Sequence, residues 1–142
     1  MKMTILTLIS CFVFASLTAP PAPSAVIFDA EGVNPFLKVW NASGIVESGK
    51  NPHAYHATDQ KGGSWGIVQI GKPMLNAYNR DNGTHYVPRD CFDVSISRKV
   101  FMWHFQKYYP NIEAGCRSWN GGNNWKHKKS TINYWKKIQK HL

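Results

Sequence analysis

Eight carboxylates occur in this 142-residue chain: Asp29, Glu31, Glu47, Asp59, Asp81, Asp90, Asp93 and Glu113. Glu47 differs from the others in its setting, because Ile45-Val46 precede it in an apolar stretch and a Gly-containing polar segment follows at once. Apolar surroundings disfavour the charged form of a carboxyl. A carboxyl that keeps its proton near neutrality can act as a general acid, for example by protonating the leaving oxygen of a glycosidic bond. A buried, partnerless carboxyl is costly, so Glu47 serves chemistry, caps a neighbouring backbone or pairs with a lysine. His53, His56 and Asp59, spaced three apart, have the residue types of metal ligands. Three groups in a loop make a weak pattern for a structural or catalytic ion, and neither metal nor cofactor is expected.

The elements that must position Glu47 follow from spacing. Asn34-Pro35 reads as a helix start, with Asn as N-cap and Pro at the first helical position. Phe36, Trp40, Ser43 and Glu47 follow at helical spacing, and Gly49 and then Pro52 end the helix, so Glu47 falls in its last turn. Residues 50–66 read as loop, and residues 65–70 are too few to assign. Pro73 to Tyr78 suggests a short helix. Asp93 or Ser95 opens the longest helix, which reaches Tyr108 and turns Val94, Phe101, Phe105 and Tyr108 to the core. Ile112 to Trp119 forms the next helix, ended by Gly121-Gly122. Thr131 is expected to cap the last, with Ile132, Trp135 and Ile138 as its apolar stripe. Four or five helices with little strand predict a mainly α domain around a substrate cleft.

Residues 1–25 read as a secretory signal peptide. Lys2 is followed by an uncharged, largely apolar run over residues 4–19 and a Pro- and Ala-rich stretch ending at Ala25. The run is short for a membrane-spanning helix and breaks at Pro20-Pro21. Leu8-Ile9-Ser10-Cys11 resembles a lipoprotein box, but the apolar run continues past Cys11, so no lipid anchor is expected there. One domain then spans residues 26–142, exported to a periplasmic or extracellular space. Cleavage removes one of 17 basic residues and none of eight acidic ones, leaving a net charge of +8. Such a charge suits an anionic partner, and export points to anionic cell-wall polymers rather than nucleic acid. Cys91 and Cys116 remain; export invites a disulfide, whereas two antiparallel helices would hold them farther apart than the about 7 Å a bridge spans.

Four segments carry a family resemblance. Glu47-Ser48-Gly49-Lys50-Asn51-Pro52-His53-Ala54 resembles the "ESG-x-NP-x-A" segment of soluble lytic transglycosylases. Gly66 to Ile70 (GIVQI) resembles their "GLMQI", Ser118 to Gly122 (SWNGG) their "AYNAG", and Tyr134 to Ile138 (YWKKI) their "YV-x-KV". The segments stand in the family's order over about residues 46–138. The resemblance implies a lysozyme-like fold of the α+β lysozyme superfamily, shared with goose-type lysozymes. It also implies that Glu47 acts as general acid and then general base, that Gln69 bonds sugar or the surroundings of Glu47, that Asn120 contacts substrate near the scissile bond, and that Tyr134 donates to Glu47. Trp119 and Ser64 complete the expected substrate-binding set. Trp119 stands where the family has Tyr, so any role of that hydroxyl is lost, and residues 54–66 depart from the usual "S-x-x-GA".

The implied activity is peptidoglycan cleavage between N-acetylmuramic acid and N-acetylglucosamine with formation of a 1,6-anhydro end. Hydrolysis by a muramidase is the alternative, with Asp59, 12 residues after Glu47, as the second carboxylate that a hydrolase usually uses. A non-catalytic glycan-binding protein is a third reading. The expected protein is a monomer acting on glycan strands, whether for growth, for a phage or beside a secretion or conjugation apparatus.

Overall fold

A computed structural model describes residues 34–57 and 62–142. The expected export segment, Asp29, Glu31 and Asp59 lie outside the described residues. Helix accounts for 65% of the described chain, with five α-helices and a small three-stranded sheet.

Helix α1 spans Leu37–Ser48. Asn34 is not its N-cap; its Oδ1 accepts from the Phe36 amide at 2.9 Å in a turn that delivers the chain to the helix two residues later than expected. Gly49 ends α1 in the left-handed region, and the Lys50 amide donates back to the Gly44 carbonyl at 2.8 Å, a closure that satisfies carbonyls of the last turn. Three two-residue strands follow: β1 (Tyr55–His56), β2 (Ser64–Trp65) and β3 (Ile70–Gly71), antiparallel in the order β1-β2-β3. Tyr55 opposes Trp65, their ring centroids 5.5 Å apart.

Helix α2 (Lys72–Asn82) starts directly from β3 and outruns the expected short helix. A 3₁₀ helix at Pro88–Phe92, which carries Cys91, leads into α3 (Val94–Gln106). Asp93 caps α3 as expected, its side chain accepting from Ser95 and Ile96 amides. Val94 does not face the core and is 42% exposed. The buried face is Ser97, Val100, Phe101, His104 and Phe105. Helix α4 spans Ile112–Gly121, followed by a 3₁₀ segment at Gly122–His127 and by α5 (Lys129–Gln139).

Thr131 does not cap α5 either. It lies inside the helix, fully buried, its hydroxyl hydrogen-bonded to the Lys128 and Trp125 carbonyls. The expected apolar stripe is rotated: Thr131, Tyr134 and Ile138 are buried, while Ile132 is 40% exposed. In space the helices pack in sequence α1–α5–α4–α3–α2, and β3 leans on α2. The core centres on Phe101, stacked on Phe105 at 4.3 Å and met by Trp119 at 5.0 Å and by Trp40, edge-on, at 5.2 Å. Cys91 and Cys116 are free thiols buried in this core. Among the described residues no helix is long and apolar enough to cross a membrane.

Candidate active site

Glu47 occupies the last turn of α1 and is partly exposed. One turn earlier on the same helix, Ser43 is fully buried. Tyr134 reaches both from α5, 87 residues after Glu47 in sequence. Its phenol is held well above its usual range, first by burial, then by the charge of Glu47 and hydrogen bonding to it; Cys116 adds to the rise and Ser43 opposes it. The Tyr134 hydroxyl and Ser43 Oγ are sealed from solvent without a hydrogen bond of regular geometry, so Tyr134 meets Glu47 and Ser43 in looser contact. A neutral phenol beside a carboxyl can donate to it when it is ionised and accept from it when it is not. Helix C-termini carry partial negative charge, and α1 has no basic residue in its last turn.

The segment from Gly66 to Ile70 lies against this helix end. Ser48 Oγ donates to the Ile67 carbonyl at 2.7 Å, and Ile67 packs over Gly44. Gln69 holds the turn from inside. Its Nε2 donates to the carbonyls of Ala54 at 3.2 Å and Gly66 at 2.9 Å, and its Oε1 accepts from Ser64 Oγ at 2.7 Å. Both amide hydrogens are therefore spent on the backbone. Gln69 is buried in a left-handed conformation (φ 54°), and Ser64 is 1% exposed. The structure thus makes Gln69 and Ser64 a buried brace beneath the loop beside the end of α1. Lys50, also left-handed at φ 65°, marks a second strained position beside Glu47. Non-glycine residues in this region cost energy and recur near functional sites.

Trp119 closes the arrangement from α4, donating its indole N–H to the Val68 carbonyl at 3.3 Å across 51 residues of sequence. It is 6% exposed and belongs to the core. Asn120, next in the chain, is exposed. It lines a groove of about 610 Å³ between α2, α3 and α4, together with Trp103, His104, Lys107 and Gly122. Glu47 does not line that groove. The structure therefore joins Glu47 with Tyr134, and Gln69 with Ser64, and sets Asn120 on a neighbouring concavity. Sequence spacing did not foresee His104 in that wall, since a histidine among Trp and Phe on a helix carries no distinguishing signal. Burial holds His104 down at about 4, with the Gly115 carbonyl opposing and the Lys107 charge reinforcing.

The other described carboxylates are committed elsewhere. Asp81 pairs with Arg80 at 3.0 Å and Lys107 at 3.2 Å, Asp90 accepts from the Val87 amide at 2.8 Å, Asp93 caps α3, and Glu113 pairs with Arg117 at 3.1 Å. Of the residues with metal-ligand types, His53 leans on the Phe92 ring at 5.7 Å and His56 is exposed in β1. Among the described residues no three His, Cys, Asp or Glu side chains come together in a group able to hold an ion. No family model matches the chain, and neither the curated sequences nor the solved structures contain a significant match to it.

Proposed function

We propose that residues 26–142 form a lysozyme-like domain that acts outside the cytoplasm as a peptidoglycan lytic transglycosylase, with Glu47 carrying both proton transfers. The observation that supports this best is convergence. Four short segments spread over residues 46–138 meet around the end of α1. Ser48 ties the first to the second through Ile67, Gln69 ties the second back to Ala54, Trp119 ties the third to Val68, and Tyr134 brings the fourth to Glu47. A chance scatter of short motifs has no reason to assemble in this way.

In the proposed reaction the Glu47 carboxyl protonates the oxygen that links N-acetylmuramic acid to N-acetylglucosamine, and that bond breaks. The resulting carboxylate takes the proton of the muramyl 6-hydroxyl, whose oxygen bonds to the anomeric carbon. The products are a free N-acetylglucosamine 4-hydroxyl and a 1,6-anhydromuramyl end. No water is consumed, so the chemistry asks for one carboxylate. Tyr134 would orient that carboxylate through both protonation states.

Glu47→Gln tests the assignment. The amide keeps size and hydrogen bonding but delivers no proton. Release of soluble fragments from purified sacculi should fall at least about 100-fold, the lower end for a general acid, with the thermal midpoint within a degree or two. Undiminished activity would remove Glu47 from the mechanism. Saturable binding by a chain that never cleaves would favour the non-catalytic reading.

A further inference from the structure

Residues 114–142 contain seven lysines and arginines and no acid. Two of the seven are engaged: Arg117 pairs with Glu113 at 3.1 Å, and Lys128 donates to the Gly121 carbonyl at 2.8 Å. Lys126 lies over the Trp125 ring, 5.7 Å from its centre. The remaining four, Lys129, Lys136, Lys137 and Lys140, are exposed on α5 and its C-terminal end, and among the described residues their ammonium groups have no ion-pair or hydrogen-bond partner.

Their spacing is regular. At about 100° per residue, Lys129, Lys136 and Lys140 fall within roughly 40° of arc, with Lys137 about 60° to one side. At about 1.5 Å rise per residue they form a line of charge roughly 16 Å long on the face opposite Thr131, Tyr134 and Ile138. Like charges one turn apart, as at Lys136 and Lys140, weaken a helix, and among the described residues no carboxylate pairs with this stripe. Its geometry fits an external chain of negative charges.

We propose that the outward face of α5 is a docking surface for a linear phosphodiester polymer without bases, such as a poly(polyol phosphate) of a cell wall. This goes beyond the proposed activity and rests on that reading only for the extracytoplasmic setting. Bases are disfavoured because single-stranded nucleic acid is held largely by stacking on open aromatic faces. Here Arg117 and Lys126 both stand over the Trp125 ring, at 4.8 and 5.7 Å, Tyr134 is buried, and Trp135 is half-buried against the core. A lipid surface is disfavoured because membrane-lying helices sink a broad apolar face, and the outward side of α5 offers only exposed Ile132 and half-buried Trp135.

The test is direct binding of poly(glycerol phosphate) to the purified chain over a salt series. If each lysine meets one phosphate, log affinity against log salt should carry a slope of about −0.7 per contact, as for single-stranded polyanions. Four contacts then lose about 50-fold in affinity between 50 and 200 mM salt. Lys129→Gln, Lys136→Gln and Lys140→Gln together should flatten the slope by about 2 and leave a loss of only about threefold over the same range. The unfolding midpoint should hold, since all three are exposed. Replacing Lys38, Lys72 and Lys99, exposed on α1, α2 and α3, by Gln should change binding much less. An unchanged slope in the α5 variant, or an equal loss in the control variant, would overturn the proposal. So would tighter binding to a single-stranded oligonucleotide of equal phosphate number, or to anionic vesicles, than to the polymer.

Discussion

Gly66→Ala should be among the most damaging single-methyl changes in this chain. Gly66 sits at φ +79°, and a Cβ there would stand 2.0 Å from the Cys91 carbonyl oxygen and 3.0 Å from Ser97 Oγ. That carbonyl is itself held, accepting from Ser97 Oγ at 2.6 Å. Gly66 is pinned too, its amide donating to Ala54 and its carbonyl accepting from Gln69. A left-handed alanine costs about 1 kcal/mol, and forcing backbone apart in a packed core costs about 1–3 kcal/mol more. The sum is about 3 kcal/mol, a large part of the 5–15 kcal/mol that holds a typical domain. With a urea slope of about 1.5 kcal/mol per M, the unfolding midpoint should drop by about 2 M. Gly83→Ala is the control, because Gly83 has a similar φ of +64° with nothing within 4 Å of the new Cβ. It should lose only the conformational part, about 1 kcal/mol. Equal losses at the two sites would refute the claim that the 66–69 turn is locked against the 3₁₀ helix.

Three further outcomes follow from the core and the site. His104 is held down at about 4 by burial, whereas in the unfolded chain it protonates near 6.5. The unfolded state therefore takes up the proton first as pH falls. The His104 contribution should be level above about pH 6.5, cost roughly 3 kcal/mol by about pH 4 and change no further below; a His104→Gln chain with the same decline in urea unfolding would show that another group carries it. Burial pushes the thiols of Cys91 and Cys116 up to about 12, so iodoacetamide at pH 8 should label neither in the native chain and both after denaturation without reductant. Failure to label the denatured chain would reveal a disulfide. Tyr134→Phe removes a hydroxyl that makes no regular hydrogen bond, so stability should change by no more than about 1 kcal/mol while glycan cleavage falls about tenfold or more; unchanged cleavage would remove Tyr134 from the positioning of Glu47.

What was legible in the sequence was local. Gly49, Asp93 and Gly122 mark real boundaries because caps and positive-φ ends depend on one or two residues. The mainly helical class followed from the same signals. The register of α5 was missed because Ile132 and Trp135 looked more apolar than Thr131, yet a threonine whose hydroxyl returns to Lys128 and Trp125 can be buried without loss. The sheet was missed because two-residue strands show no period. Glu47 in a helix's last turn was readable from Ile45, Val46 and Gly49. The inward turn of Gln69 and Ser64 was not, since it depends on carbonyls at Ala54 and Gly66 that only the folded loop brings within reach.

In the proposed reaction glycan is cut by internal attack rather than by water. Digesting peptidoglycan in 18O-labelled water and analysing the new muramyl ends by mass spectrometry tests it directly. Internal attack gives 1,6-anhydromuramyl ends that carry no label. Stoichiometric label on reducing muramyl ends would contradict it, assign the chain to hydrolysis and make Asp59 the next carboxylate to replace.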